Sequence, residues 1–204
     1  YRLIFRFVFF DIKLFVDSLR DRAISYEKAS DIKLTRRLPV AIVLNGRRFR
    51  KTTSLFEKPH SDLYSELMSQ TLIRLASEID GCQLIYSFND EIVVICRNDQ
   101  SFETEAWYDN DPQKIISAAA ALASVAFMKA AYSMNADLIG EPVFTGRVFI
   151  LPNVVETVNY LIYKQNEASQ TAVSLACHYA LTEKFDAEYS EEHLKHKTND
   201  EKFN

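Results

Sequence analysis

The sequence predicts an α+β domain of the split ferredoxin-like kind, in the order strand, helix, strand, strand, helix, strand. Three observations predict it. A run of mostly β-branched residues, 39–44, sits between two segments of helical periodicity. Two short apolar runs, 83–87 and 91–96, flank Asn89-Asp90, which is hairpin-turn chemistry. An alanine-rich stretch from 112 to about 132 precedes a further apolar run, 144–150, as a helix packed on a sheet precedes its return strand.

Taken in order, residues 1–16 (YRLIFRFVFFDIKLFV) are apolar but interrupted by Arg2, Arg6, Asp11 and Lys13. They are too short and too charged for a membrane span, and no small-residue cleavage site follows. Alternation from Arg2 to Val8 suits a strand added to a sheet edge or to a partner chain. Residues 17–34 predict a helix capped by Asp17 or Ser18. The first core strand is expected over 39–44, ending in a tight turn at Asn45-Gly46. Ser61 caps a helix over about 62–79, which Gly81 ends. The hairpin follows, and then a helix with Asp109, Asn110 or Asp111 as cap and Pro112 in its first turn. After the strand at 144–150, two helices are expected, at about 153–166 and 169–182. The chain thus divides into an apolar extension (1–16), a core domain (17–183) and a charged tail (184–204).

With 204 residues and a formal net charge of −4, the chain supports one sizeable core and exerts no global pull on nucleic acid or anionic lipid. A local basic cluster exists in Arg36, Arg37, Arg47, Arg48, Arg50, Lys51 and Lys58. Its acidic counterweight is Glu183, Asp186, Glu188, Glu191 and Glu192, an asymmetry compatible with a polyanion site on one face. Cys82, Cys96 and Cys177 are dispersed and odd in number. They argue against a disulfide framework or zinc site and for a reducing, cytoplasmic setting. His193 and His196 lack further ligands nearby and read as solvated tail residues.

The stretch LPVAIVLNGRRFR, from Leu38 to Arg50, carries most of the chemistry. It delivers a polar oxygen (Asn45), a glycine (Gly46) and the cations Arg47, Arg48 and Arg50 to one strand end, an arrangement suited to polyphosphate. The plainer alternative is a strand ending in a solvated basic loop. Asp90 is explicable as turn chemistry alone, but the adjacent Glu91 raises the case for function. In palms built on this strand order, an acid ends the first strand and another sits on the hairpin. Together they hold two divalent cations roughly 3.5–4 Å apart. Here those positions are Asn45 and Asp90.

The quoted motifs resemble the tRNA-histidine guanylyltransferase family and its bacterial and phage relatives, the 3′-to-5′ polymerases. The resemblance runs from about Ser18 to Lys197. It is carried by DRAISYEKASDIKL, LNGRRF, Lys58-Pro59, Asn89-Asp90-Glu91, AWYDNDPQKIISAAAALAS, GRVFILP and YLIYKQNEAS. It implies Mg²⁺-dependent nucleotide addition to the 5′ end of tRNA or a similar RNA, with GTP or ATP as substrates. It also implies a homo-oligomer, dimer or tetramer, and no membrane. Carried over by position, Asn45, the Gly46 carbonyl and Asp90, helped by Glu91, would hold the metal. Arg47 and the turn residues Arg48, Phe49 and Arg50 would bind nucleotide together with Lys58, Asn89 and Lys114.

The departures cluster at chemistry. The family's strand-end aspartate is Asn45, which offers one oxygen but no negative charge. Ser61, Asn89, Asp111 and Thr145 replace other polar family residues, and the family's RQ-x-D reads Lys164-Gln165-Asn166-Glu167. Two functions therefore stand: a metal-dependent nucleotidyltransferase, with Asp90, Asn45 and Glu91 catalytic, or a degenerate relative that binds nucleotide or RNA or partners an active copy. Nucleotide cyclases share the strand order, but their glycine-and-acid hairpin is missing.

Overall fold

The computed structural model describes residues 18–182, 184, 185, 194, 195, 197, 198, 201 and 202. The expected strand within 1–16, the tail histidines His193 and His196 and the acidic counterweight all lie outside the described residues. The chain divides into two units, 1–32 and 33–204. In the first, α1 spans Leu19–Lys28, and Ser18 caps it reciprocally with Asp21, a capping box that satisfies otherwise orphaned amides. The helix stops at Lys28, short of the expected 34, and buries none of its residues.

The second unit is built on four strands, β1 (Val40–Arg47), β2 (Cys82–Phe88), β3 (Glu91–Cys96) and β4 (Val143–Ile150), in the order β2-β3-β1-β4. All neighbours pair antiparallel, so the expected α+β order is the one observed. β1 is central. Its residues 40–44 are buried because helices cover both faces, which is why it reads as a continuous apolar run rather than an alternating one.

Alternation along the strands sorts the core in two. Val40, Ile42 and Leu44 of β1 join Ile92, Val94 and Cys96 of β3 in the larger cluster, which receives Leu67 and Leu75 of α3 (Asp62–Glu78) and Ile115, Ala119, Ala123 and Phe127 of α4 (Pro112–Ser133). Ala41, Val43, Val93 and Ile95 point the other way, onto Tyr160 and Leu161 of α5 (Val154–Thr182). α4 has the length and apolarity of a membrane span, and it spends that apolarity on the sheet. Its alanines let the helix approach closely.

Two further boundaries differ from expectation. β1 does not turn at Asn45-Gly46: β4 continues to pair with it, Asn45 to Thr145, Gly46 to Phe144 and Arg47 to Val143. The turn comes at Arg48, with φ +60°, which leads into the short helix α2 (Phe49–Thr52). The two helices expected after β4 are one, α5. No glycine or proline interrupts 166–169, and the Ser169 hydroxyl bonds back to the Gln165 carbonyl at 2.9 Å instead of capping a new start. Ser61 and Asp111 cap α3 and α4 as expected.

Candidate active site

The closing end of β1 gathers most of the predicted site. Asn45 lies opposite Glu91 of β3, and its Nδ2 donates to Glu91 Oε2 at 3.1 Å. The Gly46 amide donates to the Asp90 carbonyl at 2.9 Å, which locks the hairpin tip against the strand. Asn89 holds the tip with φ +51°, a left-handed conformation that asparagine tolerates better than most residues. Its carbonyl accepts the Tyr64 hydroxyl of α3 at 2.7 Å. Gly46 is required by packing: a Cβ there would overlap the Phe49 ring. That ring is buried and meets Phe127 and Phe144 edge-on, with centroids 5.1 and 4.8 Å away. Phe49 therefore anchors the basic turn from the core, and only its backbone is left for a nucleotide.

Asn45 and Glu91 continue the α5-facing set of their strands. Asp90 lies in the hairpin turn that precedes β3. The side chain joined to Asn45 is that of Glu91, while Asp90 meets β1 through its carbonyl, on the Gly46 amide. Asp90 is half-buried, and no cation pairs with it among the described residues. Burial raises its pKa above the usual carboxylate value; its own amide opposes the shift and the Glu91 charge adds to it. The Tyr64 phenol is pushed up by burial and by the same Asp90 charge. An unpaired, partly desolvated carboxylate is a natural seat for a cation.

Glu91 is the contrasting case. Its Oε1 is 2.7 Å from Lys164 Nζ, which also donates to Glu167 Oε2 at 2.7 Å. Lys164 is buried. Burial works against its charge, but its hydrogen bonds to Glu167 and Glu91, and their charges, outweigh it and raise the lysine pKa. The Lys164 hydrogen bond in turn lowers the Glu167 pKa. The Tyr160 hydroxyl, one helical turn earlier, is buried without a hydrogen-bond partner among the described residues. Lys164 was not among the residues expected at the site. Its signal was present: Thr157, Leu161, Lys164 and Ala168 recur at helical spacing, placing one charge on an apolar stripe.

Beside this end, Arg47, Arg48 and Lys51 line a cleft of about 240 Å³ with Thr52, Ile139, Gly140, Glu141 and Val143. Arg47, Arg48, Arg50, Lys51 and Lys58 are exposed, and no carboxylate pairs with them among the described residues. Lys114 is placed elsewhere. It faces Asp111 at 3.9 Å, and Asp111 also pairs with Lys33 at 3.3 Å. That cluster surrounds the opening end of β1, where the Leu34 amide bonds the Asn110 carbonyl.

For a divalent cation the available donors are Asp90, the Gly46 carbonyl and the Asn45 amide oxygen. Oxygen donors of this type suit Mg²⁺, which is commonly held by one or two carboxylates plus substrate phosphates. No cluster of three or more His, Cys, Asp or Glu side chains forms a metal cage among the described residues. The set fits one such ion.

A four-stranded antiparallel sheet of this order, with a carboxylate at its hairpin tip and an unpaired basic cleft alongside, defines a class of phosphate-handling α+β domains. The comparisons narrow the class. The model of the tRNAHis guanylyltransferase family matches residues 21–152, and the chain belongs to that family of tRNA guanylyltransferase-type nucleotidyltransferases. A bacterial tRNA(His) guanylyltransferase-like protein in complex with GTP matches with TM-score 0.75 and 33% identity, over 79% of this chain and 76% of that one. A bacterial tRNA(His) guanylyltransferase-like protein in complex with ATP matches with TM-score 0.76 and 30% identity, over 90% and 78%. The tRNA(His) guanylyltransferase of Saccharomyces cerevisiae shares the fold at TM-score 0.74 and 15% identity, over 84% and 77%. A search of curated protein sequences found no match.

Proposed function

We propose that the protein transfers a nucleotide from GTP or ATP to the 5′ end of tRNA or a similar RNA, at a palm-like site formed by the closing end of β1 and the β2–β3 hairpin tip. The observation that carries this reading is the juxtaposition of an unpaired carboxylate, Asp90, with an unpaired basic cleft. Asp90 would hold the divalent cation, with the Gly46 carbonyl and Asn45 oxygen at the same strand end, and an ion held there would supply neutralisation of phosphate charge. Arg47, Arg48 and Lys51 attract and orient the triphosphate; Arg50 and Lys58 extend the positive field. The backbone amides of Phe49 and Arg50 begin α2 and have no intrahelical carbonyl, so they are open to phosphate oxygens. Catalysis rests on positioning and electrostatic stabilisation.

The Asn45–Glu91–Lys164 network favours a second reading, nucleotide binding without turnover. Labelled GTP incubated with ATP, Mg²⁺ and 5′-monophosphorylated tRNA separates the two. Incorporation that Asp90→Ala abolishes is the expected result. GTP binding by calorimetry without incorporation selects the second reading, and no binding at all overturns both.

A further inference from the structure

We infer that Lys164 is a positioning residue that ties up Glu91 beside the hairpin tip, so that the site holds a single divalent cation, at Asp90. The inference rests on the proposed function and deepens it. Two hard dications in one site require shared carboxylate to offset their mutual repulsion. Of the acidic positions at this strand end, 45 is a neutral amide, and Glu91 is committed on both oxygens, Oε1 to Lys164 at 2.7 Å and Oε2 to Asn45 at 3.1 Å. Only Asp90 is left.

The commitment is built into α5. Lys164 and Glu167 share a helical face and bond at 2.7 Å, and the lysine side chain is 7% exposed, so the ammonium is held under the hairpin rather than swinging free. Glu91 can only accept, so the nitrogen of Asn45 must face it. The amide oxygen is thereby turned away, towards whatever binds at the strand end. A carboxylate at position 45 would instead set oxygen against oxygen. Asn45 and Lys164 are therefore a matched pair: Lys164 holds Glu91 by Oε1, and Oε2 of the carboxylate so placed orients the amide. Outer partners of this type fix ligand direction in metal sites.

Mn²⁺ titrated into the full chain with a non-hydrolysable β,γ-imido analogue of GTP, followed by the electron paramagnetic resonance of free Mn²⁺, counts the ions. One ion per nucleotide-bound chain is expected for the wild type, for Lys164→Arg, which keeps the cation, and for Asn45→Asp alone, which leaves Lys164 in place. Two are expected for Asn45→Asp combined with Lys164→Met. Two ions, or none, on nucleotide-bound wild type overturn the inference, as does a count of two for Asn45→Asp alone or of one for the double variant. Should the double variant lack a folded circular dichroism spectrum, the wild-type and Asn45→Asp counts decide. An analogue that fails to bind by equilibrium dialysis sinks the proposed function itself, whereas one that binds with two ions sinks only the single-ion inference.

Discussion

The two ends of β1 differ in how their polar groups are matched. At the opening end, every strong donor or acceptor named has a protein partner. Asn98 Oδ1 accepts the Arg37 amide at 2.8 Å, and its Nδ2 donates to Asn110 Oδ1 at 3.3 Å. Asn110 Nδ2 donates to the carbonyls of Leu34 and Thr35. Asp111 caps α4 and pairs with Lys33, and Asp109 pairs with Arg36. At the closing end, Asp90 and the cations of the turn have no such partners among the described residues. Buried polar networks that are satisfied specify structure; groups left unmatched at a strand end are available to a ligand. The contrast separates the charged residues that hold this fold from those that serve its chemistry.

Lys164→Met should produce the largest effect, because it strips the Glu91–Lys164–Glu167 clasp from the functional end. The substitution leaves Glu91 partly buried and without its cation. Breaking a buried pair costs about 3–5 kcal/mol, and the lower figure is expected because Glu91 retains some solvent contact. Urea unfolding should show a loss of about 3 kcal/mol with an unchanged slope. A loss within about 0.5 kcal/mol, the range of an ordinary surface substitution, would mean that the clasp is ornamental and that the ends differ less than described.

Asn98→Ala tests the opposite end. It orphans the Arg37 amide and one acceptor of Asn110, and leaving such groups unsatisfied costs about 1–3 kcal/mol. A stability loss of about 2 kcal/mol is expected, with GTP affinity unchanged. If GTP affinity falls tenfold instead, the opening end takes part in binding and the division drawn above is wrong.

The sequence made the strands, the two long helices around them and their caps legible, because alternation, helical periodicity and Ser61 or Asp111 are local signals. It brought Asn45, Gly46, Asp90 and Glu91 to one place through hairpin register. What it hid depends on long-range pairing. β1 runs on through Gly46 because β4 pairs with it, and nothing local marks that. Lys164 reaches Glu91 across 73 positions, and Lys114 shares its end of the domain with Lys33 rather than with Asp90. Phe49 looked like part of a basic loop, yet its ring is the loop's anchor in the core. Asn98 and Asn110 lay in a polar stretch whose residues resemble any loop until they are seen facing each other.

The smallest effect concerns Asp90 itself, and its sign is the informative part. Because burial and Glu91 raise its pKa in the folded state, the folded protein holds this proton to higher pH than the unfolded chain does. By linkage, the contribution to stability is fully present below the unfolded carboxylate value of about 4 and is lost as pH rises through the raised folded value. At pH 7 without metal the ionised group is therefore a net cost. Asp90→Asn should raise the melting temperature slightly at pH 7 in chelator, and the difference should vanish near pH 3, where both side chains are neutral. With Mn²⁺ and the GTP analogue present the order should reverse. A ligand at about 100 times its Kd stabilises the folded state by about 2.7 kcal/mol, and only the wild type retains the carboxylate to hold the ion. A lower melting temperature for Asp90→Asn in chelator at pH 7 would show that Asp90 already has a stabilising partner, and the closing end would then be as fully matched as the opening one.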